Sequence, residues 1–473
     1  MEVAQSFLQS RRAASGISRR SPTVPERAVA WRKDHQIEET MSIDNRIEHD
    51  PLGSVSVPSN RYYGAQTARA IDNFPISGIT LKSMPWVIQA LARVKMAAAQ
   101  ANCEEGLLSS AKRDAILQAC HEVLSGMHDD EFLVDVFQGG AGTSTNMNMN
   151  EVLANRASEL LGGGRGEGRL VHPNDDVNRS QSTNDAYATA VRLSMIPASR
   201  QLRDALAILA AALNAKAEEF AEIRKLGRTQ LQDAVPMTLG HEFAAFASTV
   251  LEDCDRLRET ERLFLEVNLG GTAIGTGIAA TSSYRAGVLE HLSRNSGLPV
   301  VRSKDLFEAS WDMGAFMLHM GLLKRIAAKL SKIANDFRLL ASGPRGGIGE
   351  IVLPALQPGS SLMPGKVNPV AAEALNQVCF YVYGLDTTVG MAAEAGQLQL
   401  NAMEPIIVFS SHNAMELLRK AVVAFTKTCV EGVQANVSKC EANLMSSTAF
   451  ATELVTSMGY EAAAKVVKEK LAS

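Results

Sequence analysis

Four polar clusters interrupt a chain otherwise rich in alanine and leucine. They are Gly139-Gly140-Ala141-Gly142-Thr143-Ser144-Thr145-Asn146, Gln181-Ser182-Thr183-Asn184-Asp185, Gly227-Arg228-Thr229-Gln230 and Gly359-Ser360-Ser361-Leu362-Met363-Pro364-Gly365-Lys366-Val367-Asn368-Pro369. The first three each stand shortly before an expected helix. Hydroxyls, amides and free backbone N–H groups at such points hold anions. Ordinary N-capping uses the same residue types and explains any one cluster alone. Three such clusters plus a Ser/Lys/Asn loop fit a small dicarboxylate, which needs several neutral donors and a cation. Lys366 supplies the cation; Thr143, Ser182, Thr183, Asn184, Thr229 and Asn368 supply the donors. No metal ligand set accompanies them. The nine histidines lack HExxH spacing, and the six cysteines form no CxxC pair. Gly162-Gly163-Gly164-Arg165-Gly166 lacks the Lys-Ser/Thr of a phosphate loop and reads as a helix stop.

Elements able to position these clusters are mostly helical. Pro85 fits the first position of a helix over 86–100. Ser110 is expected to cap the next, with the stripe Ile116, Cys120, Val123 and Leu124 ended by Gly126. A third is expected over Glu151–Leu161. Longer helices follow over 184–222, with a kink expected at Pro197, and over 238–267, 314–340, 369–396 and 405–437. Phe243, Val250, Leu257 and Phe264 recur every seven residues, and Ile326, Leu330, Ile333, Phe337 and Leu340 alternate steps of four and three. Such spacing means near-parallel packing in a bundle. The apolar stripes are wide enough for packing against other subunits as well. The Gly/Pro-rich stretch 343–369 is the main irregular segment, and a long loop of this kind in a helical protein usually carries function.

Bulk properties narrow the function classes. The 473 residues hold 47 Lys+Arg against 51 Asp+Glu, which excludes a strongly basic nucleic-acid binder. Hydrophobic residues at 46% rule out a disordered chain, and no apolar run is long enough to span a bilayer. The scattered cysteines read as buried thiols of a reducing compartment, so a cytoplasmic protein is expected. Residues 1–40 carry seven basic and five acidic residues with no apolar period. They read as a disordered extension upstream of a start at Met41. The alternative is an organelle-targeting peptide, which would make the protein organellar.

The fourth cluster resembles, in full, the GSSxMPxKxNP loop of the aspartase/fumarase superfamily. Gly142–Glu151 is similar to that superfamily's GTSxNMNxNE stretch, and Gly227–Glu242 to its GRTxLQDAxPxTLGxE stretch. The resemblance spans roughly residues 41–468. The tracts 376–380 and 386–405 look like aspartases more than fumarases. Fumarases have His where this chain has Gln230, and an amide cannot serve as a general acid for departing water.

The resemblance implies an all-α fold: five long helices per subunit packing into a tetrameric bundle, with a mostly helical N-terminal domain. Expected boundaries are 41–182 for that domain, 183–440 for the bundle and 441–473 for the remnant of a truncated C-terminal domain. It also implies reversible elimination of ammonia from L-aspartate to fumarate through an enediolate. Ser360 would be the base, on a loop that closes over substrate. Thr143, Ser182, Thr183 and Ser361 would surround the carboxylate that takes up charge. Lys366 and Asn368, helped by Thr229, would hold the other, Asn184 would orient the amino group, and Gln230 would line the site. No cofactor is expected, with divalent-ion activation left open. Each active site would draw on three subunits of a homotetramer, and no nucleic acid or membrane partner is expected. The nearest alternative is a fumarase or another lyase of the superfamily; a non-catalytic helical assembly protein is the alternative from a different class.

Overall fold

The computed structural model describes residues 44–472; the expected extension over residues 1–40 and the Met41 start lie outside the described residues. The described residues open with an antiparallel hairpin, β1 (Asn45–Asp50) and β2 (Gly53–Pro58). Four helices follow: α1 (Ala65–Asn73), α2 (Pro85–Glu104), α3 (Ser110–Leu124) and α4 (Thr143–Leu160). Pro85 takes the first position of α2 as expected. The cap of α3 is Ser109, one residue before the expected Ser110, and its hydroxyl accepts from the Lys112 N–H at 3.3 Å.

Five long helices make the body: α5 (Thr183–Glu219), α6 (Leu239–Thr260), and, after α7 (Ser282–Ser296), α8 (Gly314–Leu340), α9 (Val370–Glu394) and α10 (Glu404–Phe425). Between them lie the antiparallel hairpin β3 (Arg224–Thr229) and β4 (Gln232–Thr238), and the two-residue pairs β5 (Glu266–Val267) with β6 (Val301–Arg302) and β7 (Ile351–Val352) with β8 (Gln434–Ala435). Short helices α11 (Val437–Ser446), α12 (Phe450–Met458) and α13 (Tyr460–Ala472) end the described chain. The helix expected over 238–267 stops at Thr260, and the one expected over 405–437 stops at Phe425. α5 runs unbroken through Pro197.

The stripes read from the sequence face the core. Leu202, Leu206, Leu209 and Leu213 of α5, and Ile326, Leu330, Ile333, Phe337 and Leu340 of α8, are all buried. Ring contacts fix how the helices run. Phe220, just past α5, meets Phe243 of α6 at 5.2 Å; Phe243 meets Phe337 of α8 at 5.4 Å; and Phe337 meets Phe425 of α10 at 5.3 Å. The end of α5, the start of α6 and the ends of α8 and α10 therefore share one end of the bundle, here called the foot. Ser194 of α5 meets His412 of α10 at 2.8 Å, and Phe264 beyond α6 meets Phe316 of α8 at 5.3 Å, toward the other end, the head. Aromatic pairs in such edge-on or tilted arrangements stabilise by roughly 1 kcal/mol beyond burial. Among the described residues no helix is long and apolar enough to cross a membrane.

Candidate active site

The first two clusters meet at the head. α4 starts at Thr143, eight residues before the expected Glu151, because Asn146, Asn148 and Asn150 are drawn inside rather than left in a loop. Each makes a bond that offsets the poor helix propensity of asparagine. Asn146 donates to Thr183 Oγ1 at 3.2 Å and to Asn178 Oδ1 at 3.1 Å; Asn150 also donates to Asn178 Oδ1, and Asn148 to the Glu131 carbonyl. Glu151, the last residue of that motif, is fully engaged with the start of α1. It accepts from the N–H groups of Gly64, Gln66 and Thr67 and from the Thr67 hydroxyl. It is a clasp inside the fold, not a substrate ligand.

Ser182 caps α5 in a reciprocal box with Asp185. Its oxygen accepts from the Asn184 N–H at 3.3 Å, which leaves its O–H free to donate. Thr183 Oγ1 accepts from Asn146, so its O–H is free as well. Asn184 donates through Nδ2 to the Ala273 carbonyl at 2.8 Å, which leaves Oδ1 open to a cation. Thr143, exposed at the first position of α4, donates to the Gly140 carbonyl at 2.7 Å. The N-termini of α4 and α5, with the unused O–H groups of Ser182 and Thr183, thus form one anion cradle.

Behind this cradle stand Lys95, which sequence reasoning missed, and Asp185 of the second cluster. Lys95 is buried in α2 and donates to Asn178 Oδ1 and Gln181 Oε1, both at 2.9 Å. Burial pulls its pKa down to about 7, against the charge of Asp185. Asp185 accepts from the N–H groups of Ser182, Gly270 and Thr272; burial raises its pKa even so. A lysine beside the apolar run Met96–Ala99 was the available signal for Lys95.

The other two clusters lie at the foot. The third does not precede a helix as expected. Thr229 ends β3 and pairs with Gln232, and Gln230 and Leu231 form the two-residue turn of the hairpin. Both turn residues have positive φ, +53° and +61°, without being glycine or asparagine. Thr229, Gln230 and Leu231 are all exposed. Arg228 donates to Glu350 Oε1 at 2.9 Å, and Lys225 pairs with Glu350 at 3.1 Å and with Glu242 at 2.5 Å. Asn443 donates to the same Glu350 oxygen at 3.0 Å. Burial would raise the Glu350 pKa, but these donors hold it below the ordinary carboxylate value. Glu350 thereby ties the hairpin to the Gly/Pro-rich stretch that carries the fourth cluster.

Ser360 is half-buried in that loop, and its Oγ accepts from the N–H groups of Leu362 at 3.1 Å and Met363 at 2.9 Å. Donors aimed at the hydroxyl oxygen favour its deprotonated form. The neck of the loop is closed by Gly359 N–H to the Lys366 carbonyl and by Asn368 Nδ2 to the Gly359 carbonyl, both at 2.8 Å. Asn368 is thus a loop clasp here, with Oδ1 still free. Ser361 and Lys366 are exposed.

Head and foot are far apart in one chain. The 37 residues of α5 run about 55 Å at ~1.5 Å per residue, with Ser182 at one end and the base of the β3–β4 hairpin just past the other. A six-residue strand covers only ~20 Å, so the hairpin cannot fold back to the cradle. The structure brings Thr143, Ser182, Thr183 and Asn184 together, and places Thr229, Gln230, Ser360, Ser361, Lys366 and Asn368 at the opposite end. Among the described residues no group of three or more His, Cys, Asp or Glu side chains could hold a metal ion.

The lyase family model matches residues 53–384. Aspartate ammonia-lyase of Pseudomonas canavaninivorans is 53% identical over 429 residues, 90% of each chain. That of Escherichia coli K12 is 49% identical over 421 residues, 89% of this chain and 88% of the relative. Among solved structures, a fumarate lyase:delta crystallin from Brucella melitensis bound to cobalt has a TM-score of 0.89 at 55% identity, over 91% of this chain and 93% of that one. A class II fumarase from Schistosoma mansoni has a TM-score of 0.86 at 38% identity, over 90% of this chain and 92% of that one. Motifs, helical bundle and relatives agree, and the chain belongs to the lyase family of the aspartase/fumarase superfamily.

Proposed function

We propose that this protein is an aspartate ammonia-lyase, releasing ammonia from L-aspartate to give fumarate. The observation that carries the reading is the identity near 50% to aspartate ammonia-lyases along nearly the whole chain. Gln230 at the hairpin tip favours it over water elimination. The ammonium group departs as neutral ammonia and needs no further proton, whereas departing hydroxide needs an acid that an amide cannot supply.

The chemistry can be assigned to residues. Ser360, deprotonated with help from the Leu362 and Met363 N–H groups and the charge of Lys366, takes the proton from C3. The electron pair moves into the adjacent carboxylate, giving an enediolate. The free O–H groups of Ser182 and Thr183, the N-terminus of α5, and Thr143 and Ser361 meet that charge. Lys366, Asn368 and Thr229 hold the second carboxylate, and Asn184 Oδ1 accepts from the ammonium group. The pair then returns to form the C2–C3 double bond as the C2–N bond breaks.

We further propose a homotetramer whose sites combine the head of one subunit with hairpin and loop from two others. The ~55 Å between head and foot supports this. So do Phe380, Tyr381 and Met391, exposed on one long helix, α9.

Adding L-aspartate, and separately L-malate, to purified protein while following fumarate absorbance and ammonia tests the activity. Aspartate alone should give both products; fumarate from malate alone would assign a fumarase instead. Mixing inactive Thr183→Ala and Ser360→Ala proteins, with subunit exchange, tests the shared site. Activity that neither parent has is expected; none, from mixed tetramers shown to form, would refute sharing.

A further inference from the structure

A cavity of about 110 Å³ lies between α2, α5 and the end of α7, and no step of the reaction above uses it. On the ~30 Å³ that a water takes in the liquid, it holds a few waters or one small oxyanion, and no nucleotide. Its polar wall consists of Trp86 and Arg93 from α2, Arg200 from α5 and Ser296 from α7. Guanidinium and indole groups only donate hydrogen bonds. The Ser296 hydroxyl is already occupied: it donates to the Leu292 carbonyl at 2.7 Å and accepts from the Leu298 N–H.

Arg93 is the unusual member. It is half-buried, makes no ion pair among the described residues, and burial pulls its pKa down. Arg200 gives Nε and Nη2 to Glu261, at 3.0 and 2.8 Å, which leaves Nη1 unused. Pro197 on the wall leaves the Leu193 carbonyl without its helical partner, an acceptor for one donor and not for the rest. A partly buried cation without a counter-charge is costly. Here it shares a small chamber with a second, incompletely used guanidinium.

We propose that this chamber binds a small oxyanion, a carboxylate or inorganic phosphate, gripped by Arg93 and Arg200 with the indole N–H of Trp86. Bound there, the anion bridges α2 to α5, the helices that carry Lys95 and the Ser182–Asn184 cradle. Because it binds only the folded state, it raises the unfolding temperature with concentration.

The test uses the full chain in Tris chloride at constant ionic strength. Phosphate and acetate are titrated separately while the unfolding temperature is followed, and calorimetry measures binding directly. Wild type should respond to at least one of them, and which one responds identifies the source of the anion. Arg93→Met should bind at least tenfold more weakly, keep its turnover, and without anion unfold at or above the wild-type temperature. Arg93→Lys should recover part of the response and serves if Arg93→Met does not fold. No binding of either anion to wild type, or equal binding to the Arg93 variants, would overturn the site.

Discussion

At the head of the bundle Ser182 and Thr183 rest on buried polar groups: Asn146 on Thr183, Asn178 on Asn146, Lys95 on Asn178. At the foot the half-buried Ser360 and the exposed Gln230 rest on backbone turns. The first arrangement is rigid and complete within one chain, as suits the binding of charge that must be met at fixed points. In the second, the Ser360 loop is held by a few bonds to backbone, with Asn368 its side-chain clasp, as suits a base that must let substrate in before it closes. Stability and reactivity are thus lodged at opposite ends of the bundle, so substitutions at the two ends should fail in different ways.

The largest effect expected is at the foot. Ser360→Ala should lower kcat about 10³-fold, the scale of a lost general base, while leaving the unfolding temperature nearly unchanged. Steady-state rates beside a thermal melt measure both; activity within threefold of wild type would remove Ser360 from the mechanism.

Gly142 should show the converse at the head. It sits at φ +85° before α4, and an added Cβ would overlap the Tyr187 ring. Gly142→Ala should cost about 2–4 kcal/mol of stability, from left-handed strain plus overpacking, and weaken substrate binding as α4 shifts. Urea unfolding gives the first and KM the second; a stability loss under about 0.5 kcal/mol would mean the head is softer than its contacts imply.

The smallest effect sharpens the contrast with one residue type. Leu231 sits at φ +61° and is 67% exposed, so a glycine there loses little burial and relieves strain. Leu231→Gly should stabilise an isolated subunit by under about 1 kcal/mol, since the added chain entropy of glycine offsets part of the gain. If the subunit is instead destabilised, the tip is not strained, and the two ends differ less than described.

The long helices were legible because seven-residue spacing survives over many turns, and Phe243, Val250 and Leu257 needed only one side to pack against. The loop around Ser360 was legible as a motif. The hairpin was not: its turn is Gln230-Leu231 where Asn-Gly would have announced it. The true start of α4 was hidden for a different reason. Buried asparagines look like loop residues until Asn178 and Glu131 are placed opposite them. Lys95 shows the same limit, because a cation in a largely apolar helix gains meaning only from Gln181 and Asn178, more than 80 residues away.

The unbroken length of α5 also sets what insertions and deletions the protein tolerates. Removing one residue between Ser182 and Phe220 shortens the spacer by only ~1.5 Å but turns everything past it by about 100°. The hairpin would then leave its register with Glu350, however well the shortened helix packed. Seven residues restore the phase to within about 20° but move the foot some 10 Å along the axis. The helix is therefore a clock hand as well as a ruler, and lineages of this fold should vary its sequence freely while holding its count.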